Sequence, residues 1–235
     1  MPTHTIAAVA KTLDHAVLKP EFSRDDLARH SAMCVDRGVG CLCVRSCDVA
    51  AAANLVAGSP VVIASVIGFP HGACRPEVKA LESRLAIADG ARELDMVINV
   101  GAVKSGDEAA VSKDIAAVVA EAKPQGVVVK VILETCYLSA AEIATACRLA
   151  EEAGADFVKT STGFGMKASG PTGATPEGVR IMLDAVDGRL QVKASGGIRT
   201  WDNAIRYLDM GCTRLGVGDA AAILDGRPAE GTAAY

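Results

Sequence analysis

Aromatic side chains are scarce in this chain, and long apolar segments are absent. Only 3% of its 235 residues are aromatic, so we expect neither aromatic platforms that stack bases nor aromatic surfaces that bind sugars. No stretch approaches the roughly 18 uninterrupted apolar residues of a transmembrane helix. The N-terminus also lacks the charged start and apolar core of a signal peptide. We therefore expect a soluble, cytoplasmic protein with no membrane partner.

An excess of charge of one sign is also lacking. The chain has 24 Lys and Arg against 28 Asp and Glu, a net charge of −4, and its basic residues are spread along the sequence. Proteins that bind nucleic acid concentrate basic residues in a patch or a stripe. The sequence therefore predicts no nucleic-acid partner.

Eight cysteines are present, but their distribution does not indicate a disulfide framework, because a chain of this length can bury a sufficient core without one. Cys34, Cys41, Cys43 and Cys47 cluster at a spacing that is compatible with a zinc site. However, Cys41 and Cys43 alternate with Leu42 on a predicted strand, and no His follows at ligand spacing. Small buried hydrophobes are the favoured interpretation, and we expect no metal.

Apolar runs and helical patterns alternate along the chain. Short runs rich in Val, Ile and Leu are typical of strands, and segments with a period of 3.6 are typical of helices. The predicted strands are 12–18, 41–44, 61–68, 94–100, 127–134, 157–161, 191–194 and 214–216. The predicted helices are 24–37, 48–56, 76–89, 107–122, 140–152, 176–187, 201–209 and 220–224.

This alternation predicts a parallel sheet, and closure of eight units into a (β/α)8 TIM barrel is the economical arrangement. A doubly wound open sheet is the alternative, but no Gly-x-Gly-x-x-Gly follows the first predicted strand. No linker divides the chain, so we predict one α/β domain over residues 1–235, with a short N-terminal helix and a flexible tail over 226–235. Tyr235 could fold back to the site from that tail, although a disordered end is the favoured interpretation.

Polar residues stand inside or just after the predicted strands, where barrels of this class carry their chemistry. They are Asp14, His15, Lys19, Asp95, Asn99, Lys130, Glu134, Lys159, Thr160, Ser161, Lys193 and Ser195. If Lys159 and Lys193 share one cavity, each opposes the other's charge, and one can become a neutral amine that attacks carbonyl groups. Asp95 beside a lysine would stay ionised and could pass protons. A structural ion pair is the alternative for any one residue, but the density of these groups favours chemistry.

Glycines gather after the last three predicted strands. Gly163 follows the sixth strand, Gly196 and Gly197 follow the seventh, and Gly216 lies at the end of the eighth. Glycine-rich loops at these places, with a helix start behind them, form the usual phosphate cradle of such barrels. The sequence therefore predicts a phosphate-binding end of the site.

Six segments together resemble the deoxyribose-phosphate aldolases, a family of class I aldolases that form Schiff bases. The segments are 13–20, 66–72, 93–101, 129–134, 157–164 and 192–199, so the likeness runs nearly end to end. It implies a carbon–carbon lyase that reversibly cleaves 2-deoxy-D-ribose 5-phosphate into acetaldehyde and D-glyceraldehyde 3-phosphate. It also implies nucleoside catabolism, small-molecule partners (a sugar phosphate and aldehydes), and no organic cofactor or metal.

The resemblance further implies roles for individual residues. Lys159 is similar to the Schiff-base lysine, and Lys193 to the second lysine, which lowers the pKa of the first. Asp95 matches the aspartate that relays protons with a water, and Asp14 the aspartate that holds the second lysine. The residues expected to bind the substrate and its phosphate are Thr162, Gly163, Lys167, Gly196, Gly197 and Gly216.

Three positions depart from the family pattern. Asp219 stands in the last strand–helix loop, where the family carries small hydroxyl residues. Either it only caps the following helix, which we favour, or the enzyme accepts a less charged substrate. Lys167 could compensate with a positive charge over the phosphate, or could simply be a solvated loop lysine. Ala16 replaces a threonine and removes a possible hydrogen bond near the site.

Other functions are compatible with the same residues. The nearest is a related imine-forming barrel aldolase that acts on a different or non-phosphorylated carbonyl substrate. A non-catalytic barrel that binds sugar phosphates and a barrel isomerase that uses paired acid and base are further alternatives. For a barrel of this size we expect a homodimer as the default assembly.

Overall fold

The structure, a computed structural model, describes residues 4–166 and 170–226. Eight parallel strands pair in chain order, and the last also pairs with the first to close a barrel. The strands are β1 Leu13–Val17, β2 Cys41–Val44, β3 Val62–Ile67, β4 Glu93–Val97, β5 Val128–Ile132, β6 Phe157–Lys159, β7 Gln191–Ser195 and β8 Arg214–Val217. The predicted (β/α)8 barrel is confirmed, and the doubly wound alternative is wrong.

Helices connect successive strands on the outside of the barrel. They are α1 Ile6–Thr12, α2 Arg24–Arg37, α3 Val49–Leu55, α4 Pro76–Ala88, α5 Val100–Lys104, α6 Glu108–Ala122, α7 Ala140–Glu152, α8 Pro176–Val186, α9 Trp201–Met210 and α10 Ala220–Asp225. The predicted N-terminal helix is confirmed as α1. The bounds of α2 and α7 match the predictions because Ser23 and Ser139 each form a reciprocal capping box that starts the helix.

The short helix α5 is absent from the sequence predictions. Asn99 starts it, because its side-chain oxygen accepts a hydrogen bond from the amide of Ala102 at 3.1 Å. The apolar run from Met96 onward continues through the end of β4 into this helix, so hydropathy alone places the strand end too late. The predicted strand 94–100 is wrong over its last three residues.

The two faces of the strands differ in chemistry, since successive side chains point to opposite sides. On the outer face, side chains such as Leu94, Val129 and Val158 are fully buried in an apolar layer beneath the helices. Each such side chain contributes roughly 1.5–3 kcal/mol to folding. On the inner face a small apolar cluster joins Leu18, Cys41, Cys43, Ala64 and Val66. Charged side chains occupy much of the remaining interior.

Some predictions concern residues outside the described ranges. These are the tail beyond Gly226, with Tyr235, and the role of Lys167 in the loop after β6. None of the helices in the described part of the chain combines the length and the apolarity that are needed to cross a membrane.

Candidate active site

The strand register brings the predicted catalytic residues to one level of the barrel. Lys159 of β6 pairs directly with Lys193 of β7, and Asp95 of β4 pairs with Lys130 of β5. Paired residues of parallel strands project to the same face of a sheet. Four charged side chains from four consecutive strands therefore meet inside the barrel.

Asp95 is the centre of this group. Its Oδ2 accepts hydrogen bonds from Nζ of Lys159 and Nζ of Lys193, both at 2.7 Å, and its Oδ1 accepts one from Nζ of Lys130 at 2.8 Å. Burial by itself would raise the pKa of Asp95, but the charges of the three lysines hold it well below its usual range. Asp95 is therefore ionised at physiological pH.

Asp14 supports the lysines from β1. It binds Nζ of Lys193, lies 3.2 Å from Nζ of Lys130, and lies 3.1 Å from Nε of Arg214. Burial would raise the pKa of Asp14, but these three cations lower it to about 2. For Lys193, burial lowers the pKa, yet Asp14 and Asp95 together raise it above its ordinary value. The structure therefore places Asp14 where the resemblance predicts it, against a Lys193 that stays protonated.

Glu93 and Arg214 complete the charged interior. Glu93 binds Nζ of Lys130, and its Oε1 accepts a hydrogen bond from Nη2 of Arg214 at 2.5 Å. We call the whole set the interior network, and its members are Asp14, Glu93, Asp95, Lys130, Lys159, Lys193 and Arg214. Glu93 and Arg214 were not predicted as site residues, because each is the first residue of a strand, where charged side chains are usually solvated.

The interior network contains four cations and three carboxylates. Lys130, Lys193 and Arg214 each lie within ion-pair distance of at least two carboxylates. In the described part of the chain, Lys159 is within that distance of Asp95 alone. Lys159 therefore has the fewest carboxylates within ion-pair distance among the four cations of the interior network, and these cations outnumber the three carboxylates of the network by one.

Lys159 is also the point at which the interior network meets a cavity of about 770 Å³. Its side chain lines the cavity, whereas Lys130 and Lys193 are not among the described lining residues. Thr162, Gly163, Gly196, Gly197 and Gly216 line the same cavity. The structure thus gathers the predicted substrate-binding residues around Lys159, apart from Lys167, which is not described.

Two of these residues have structural tasks of their own. A Cβ added at Gly216 would lie 2.6 Å from Cβ of Ser195 and 3.2 Å from Cε of Lys193, so glycine leaves room for the lysine. The hydroxyl of Thr162 donates to the carboxylate of Glu134 and accepts from the amide of Phe164 at 2.9 Å. Because its O–H already donates to Glu134, Thr162 orients the loop after β6 and has no hydroxyl donor left for a ligand in the cavity.

Asp219 caps α10, since its Oδ1 accepts a hydrogen bond from the amide of Ala222 at 3.0 Å. The predicted cap is therefore present, and because Asp219 also lines the cavity, the prediction that it acts only as a cap stays a prediction. The amide of Ala220 donates to Nδ1 of His15 at 3.3 Å, so a second N–H group at the start of α10 is also occupied. The start of this helix therefore offers less to a phosphate than the glycine pattern predicts.

Several cationic or polar residues of the cavity wall were not predicted as site residues. They are Arg29, His30 and Arg199, and the wall also contains Lys19, which the sequence places among the polar residues at the end of the first strand. Arg199 forms no ion pair within the described residues, and Lys19 lies over the ring of Phe22. Arg29 and His30 lie on α2, where a polar residue on an amphipathic helix is indistinguishable from a solvated one. Arg199 stands at the end of a segment that carries the family resemblance, and this signal could have identified it.

The cysteines do not converge as a zinc site would require. Cys41 and Cys43 lie inside the barrel, Cys34 lies in the outer apolar layer, and Cys47 is exposed. Burial raises the pKa of the Cys43 thiol to about 11, so it remains protonated. One possible ligand set, Asp14, Cys41 and Glu93, exists in the described chain, but the ammonium of Lys130 already contacts both of its carboxylates.

Comparisons with known proteins agree with this geometry. The model of the DeoC/LacD family of aldolases matches residues 9–215. The chain belongs to this family. The aldolase is therefore an enzyme of the lyase class, and its relatives include deoxyribose-phosphate aldolases from Thermococcus gammatolerans and Clostridium kluyveri. The first is 46% identical over 93% of this chain and 96% of the relative, and the second is 44% identical over 92% and 97%.

Solved structures of aldolases share the fold of the whole barrel. The aldolase QR15 superposes with a TM-score of 0.86 at 37% identity and covers 92% of this chain and 94% of its own. The deoxyribose phosphate aldolase from Aeropyrum pernix, described as a tetramer, also has a TM-score of 0.86, with 31% identity over 94% of this chain and 91% of its own.

Proposed function

We propose that this aldolase reversibly cleaves 2-deoxy-D-ribose 5-phosphate into acetaldehyde and D-glyceraldehyde 3-phosphate through a Schiff base on Lys159. The observation that carries the proposal is the position of the Lys159 amine, which lines the cavity and shares Oδ2 of Asp95 with the amine of Lys193. The names of the relatives supply the substrate.

The interior network provides the nucleophile. A cluster with one positive charge in excess is relieved when one cation loses its proton. Lys130, Lys193 and Arg214 are each held by two or more carboxylates, and burial beside these carboxylates raises the pKa of Lys193. Among the described residues, Lys159 lies within ion-pair distance of Asp95 alone, and it is the lysine of the interior network that lines the cavity, so we assign the neutral amine to it. The neutral amine then attacks a carbonyl carbon.

The amine of Lys159 adds to C1 of the open-chain sugar, and loss of water gives a protonated imine. A base removes the proton of the C3 hydroxyl, the C2–C3 bond breaks, and its electrons move into the imine to form an enamine. The released C3 fragment is D-glyceraldehyde 3-phosphate. Protonation of the enamine at C2 and hydrolysis of the imine then release acetaldehyde and restore the amine. The imine is the electron sink, so this route has no step that needs a metal ion.

Asp95 is the base and proton carrier of this scheme. It is ionised and lies 2.7 Å from the nitrogen that becomes the imine, so it can accept the C3 hydroxyl proton directly or through a water. Because the surrounding lysines hold its pKa low, Asp95 retains the proton only transiently and returns it to C2 of the enamine. Lys193 stays protonated and keeps Asp95 in place.

The cavity carries groups that suit a phosphate. Lys19, Arg29 and Arg199 line it, and opposite charges attract an anionic substrate into such a cleft. Gly196 and Gly197 both have positive φ, +83° and +79°, a conformation that only glycine adopts readily. Their backbone therefore approaches the substrate without an intervening side chain.

A second candidate is an imine-forming aldolase with a different or non-phosphorylated carbonyl substrate. Asp219 favours it, because this exposed carboxylate lies in the cavity wall and would repel a nearby phosphate. The two backbone amides at the start of α10 that are already hydrogen-bonded also favour this second candidate, because they are not available to a phosphate. The cations of the wall outnumber this single carboxylate, so the phosphorylated sugar remains the first candidate.

Trapping of the imine tests the proposal. The protein is incubated with deoxyribose 5-phosphate, and in a parallel sample with deoxyribose, and borohydride is added to reduce any imine to a stable amine. Mass spectrometry should find the adduct on Lys159 and none in Lys159→Arg. No adduct with either sugar on a folded protein would overturn the proposal. A larger yield with deoxyribose would favour the second candidate.

A further inference from the structure

Two histidines join β1 to the cavity wall outside the interior network. His15 follows Asp14 and therefore points to the opposite side of β1, away from the barrel interior. It is 1% exposed. Its Nε2 lies 2.8 Å from Nδ1 of His30 on α2, and the two rings are tilted with centroids 4.9 Å apart.

The hydrogen bonds determine where the protons of this pair are. A backbone N–H can only donate, so the amide of Ala220, 3.3 Å from Nδ1 of His15, requires a lone pair on that nitrogen. His15 is then neutral with its proton on Nε2, and it donates to Nδ1 of His30. His30 in turn is neutral with its proton on Nε2. Burial lowers the pKa of both imidazoles, to about 4 for His15, which agrees with this assignment.

His30 lines the cavity next to Arg29. Its Nε2 makes no hydrogen bond with any described residue, since Nδ1 carries the contact to His15. The ring of Phe22, 5.3 Å away between centroids, packs against it. A donor of fixed direction therefore stands free at the wall of the substrate cavity.

This donor lies where the ordinary donors are already used. At the start of α10, the amide of Ala220 is bound by His15 and the amide of Ala222 by Asp219. Asp219 also acts on both imidazoles through its charge, so the pair lies close to this helix start. The N–H group of His30 therefore supplies a hydrogen-bond donor for a phosphate at a place where both backbone amides are already bound.

We infer that His30 is a specificity-determining residue that donates a hydrogen bond from Nε2 to the substrate's phosphate, and that His15 is a positioning residue that fixes its tautomer. The inference rests on the proposed function and names a recognition group for the phosphate end of that site. The inference also explains how a phosphate can be held although Asp219 lines the same cavity, because the N–H group of His30 supplies a hydrogen bond there.

The first test compares two sugars in wild type, His30→Leu and His30→Gln. The ratio of kcat/KM for deoxyribose 5-phosphate to kcat/KM for deoxyribose should fall by roughly tenfold in His30→Leu, because a hydrogen bond to a charged group is lost. His30→Gln keeps a side-chain N–H donor and should recover most of the ratio. His4→Gln is the matched control, since His4 pairs with Asp209 and does not line the cavity. An unchanged ratio in His30→Leu would overturn the inference.

The second test concerns His15. NMR of the imidazole nitrogens distinguishes the two neutral tautomers, and with four histidines in the chain each signal can be assigned by single substitution. Both His15 and His30 should carry the proton on Nε2. His15→Asn keeps an acceptor for the Ala220 amide, but its side chain is too short to place an N–H donor at the position of Nε2 of His15. The tautomer of His30 should then no longer be fixed, and the sugar ratio should fall as well. A proton on Nδ1 of His15 in the wild type would contradict the positioning role.

The same NMR signals separate this inference from the proposed function. Inorganic phosphate should shift the Nε2 signal of His30 in the wild type, with a weaker effect in His15→Asn, whether or not the protein turns over either sugar. If phosphate shifts the signal but borohydride traps no imine, the proposed function fails and only the contact between His30 and phosphate stands. If an imine forms but phosphate leaves His30 unshifted, the inference fails alone.

Discussion

The molecule buries lysines in two regions of opposite character. Lys79 on α4 is fully buried in the helix layer outside the barrel, where its Nζ contacts one carboxylate, Asp114 at 2.6 Å, and the carbonyl of Val97 at 2.7 Å. Lys159 is almost as buried, but it belongs to a network with more cations than carboxylates and it lines a cavity. The charge of Lys79 is matched by one carboxylate, and Lys79 has no access to that cavity. Lys159 lies in a network with an excess of cations, and it lines the cavity.

Burial of a lysine by itself therefore does not indicate chemistry. The pair of Lys79 and Asp114 joins α4 and α6 and supports Asn99, whose amide donates to Asp114 at 3.0 Å. Burial raises the pKa of Asp114 more than Lys79 lowers it, which indicates the cost of enclosing this pair. Reactivity requires in addition a charge imbalance that favours the neutral amine and a space in which a carbonyl can reach it.

The largest expected effect comes from removing the amine of Lys159, which we propose forms the imine. Lys159→Arg keeps a cation beside Asp95 but cannot form an imine, so kcat/KM should fall by about 10⁴-fold or more. Turnover assays and borohydride trapping measure both consequences. An adduct that persists on another lysine would move the chemistry away from Lys159 and abolish the contrast with Lys79.

Lys79, by contrast, should affect the stability of the fold and not the activity. Lys79→Met leaves Asp114 buried without its cation, and loss of one partner of a buried pair costs about 3–5 kcal/mol in the free energy of unfolding. Urea unfolding measures this cost, and Lys79→Met combined with Asp114→Leu should restore a large part of it. The borohydride adduct on Lys159 should form as in the wild type. Loss of the adduct in folded Lys79→Met would mean that the outer pair also positions the site.

Substitution of Asp95, the carboxylate that Lys159 and Lys193 share, tests the effect of the excess of cations in the interior network. Asp95→Asn leaves the interior network with four cations and two carboxylates, and it removes the proposed proton carrier. We expect kcat to fall by about 100-fold or more, because positioned proton transfer contributes 10²–10⁴-fold. Single-turnover trapping should still detect the imine on Lys159. A kcat within tenfold of the wild type would require another group as the base.

A smaller effect, the pH dependence of the free energy of unfolding, is expected from His15 on the outer side of β1. Its pKa is lowered from 6.5 to about 4 by burial, so the unfolded chain binds a proton more readily between these values. The stabilisation is fully present above pH 6.5 and is lost as the pH falls towards about 4. The loss should be about 3 kcal/mol at most.

Urea unfolding across this pH range measures how steeply the free energy of unfolding changes with pH. In His15→Phe, whose side chain does not titrate, this dependence should be weaker. An identical slope in the two proteins would mean that other groups carry the acid sensitivity. Asp14 cannot account for a loss in this window, because its folded pKa of about 2 moves its own contribution to lower pH.

Sequence patterns predicted a large part of the architecture. The alternation of apolar runs and amphipathic segments predicted every barrel strand, and the charged residues inside apolar strands predicted Lys159, Lys193 and Asp95 as neighbours. The prediction failed for Lys79 and His30, because a polar residue on a helix is normally solvated and nothing local distinguishes the exceptions. It also missed α5, because the apolar run continues past the end of β4.

The sequence by itself determined the period of the elements, their start and stop signals, and which strands carry charge, since these depend on residues a few positions apart. Only the tertiary structure decided which charges pair, because Asp14 and Lys193 are 179 positions apart and Lys159 and Asp95 are 64 apart. Closure of the barrel brings them together in a space that water scarcely enters. There the surplus of one cation and the opening of the cavity beside Lys159 distinguish the amine that we propose to be reactive from the structural one of Lys79.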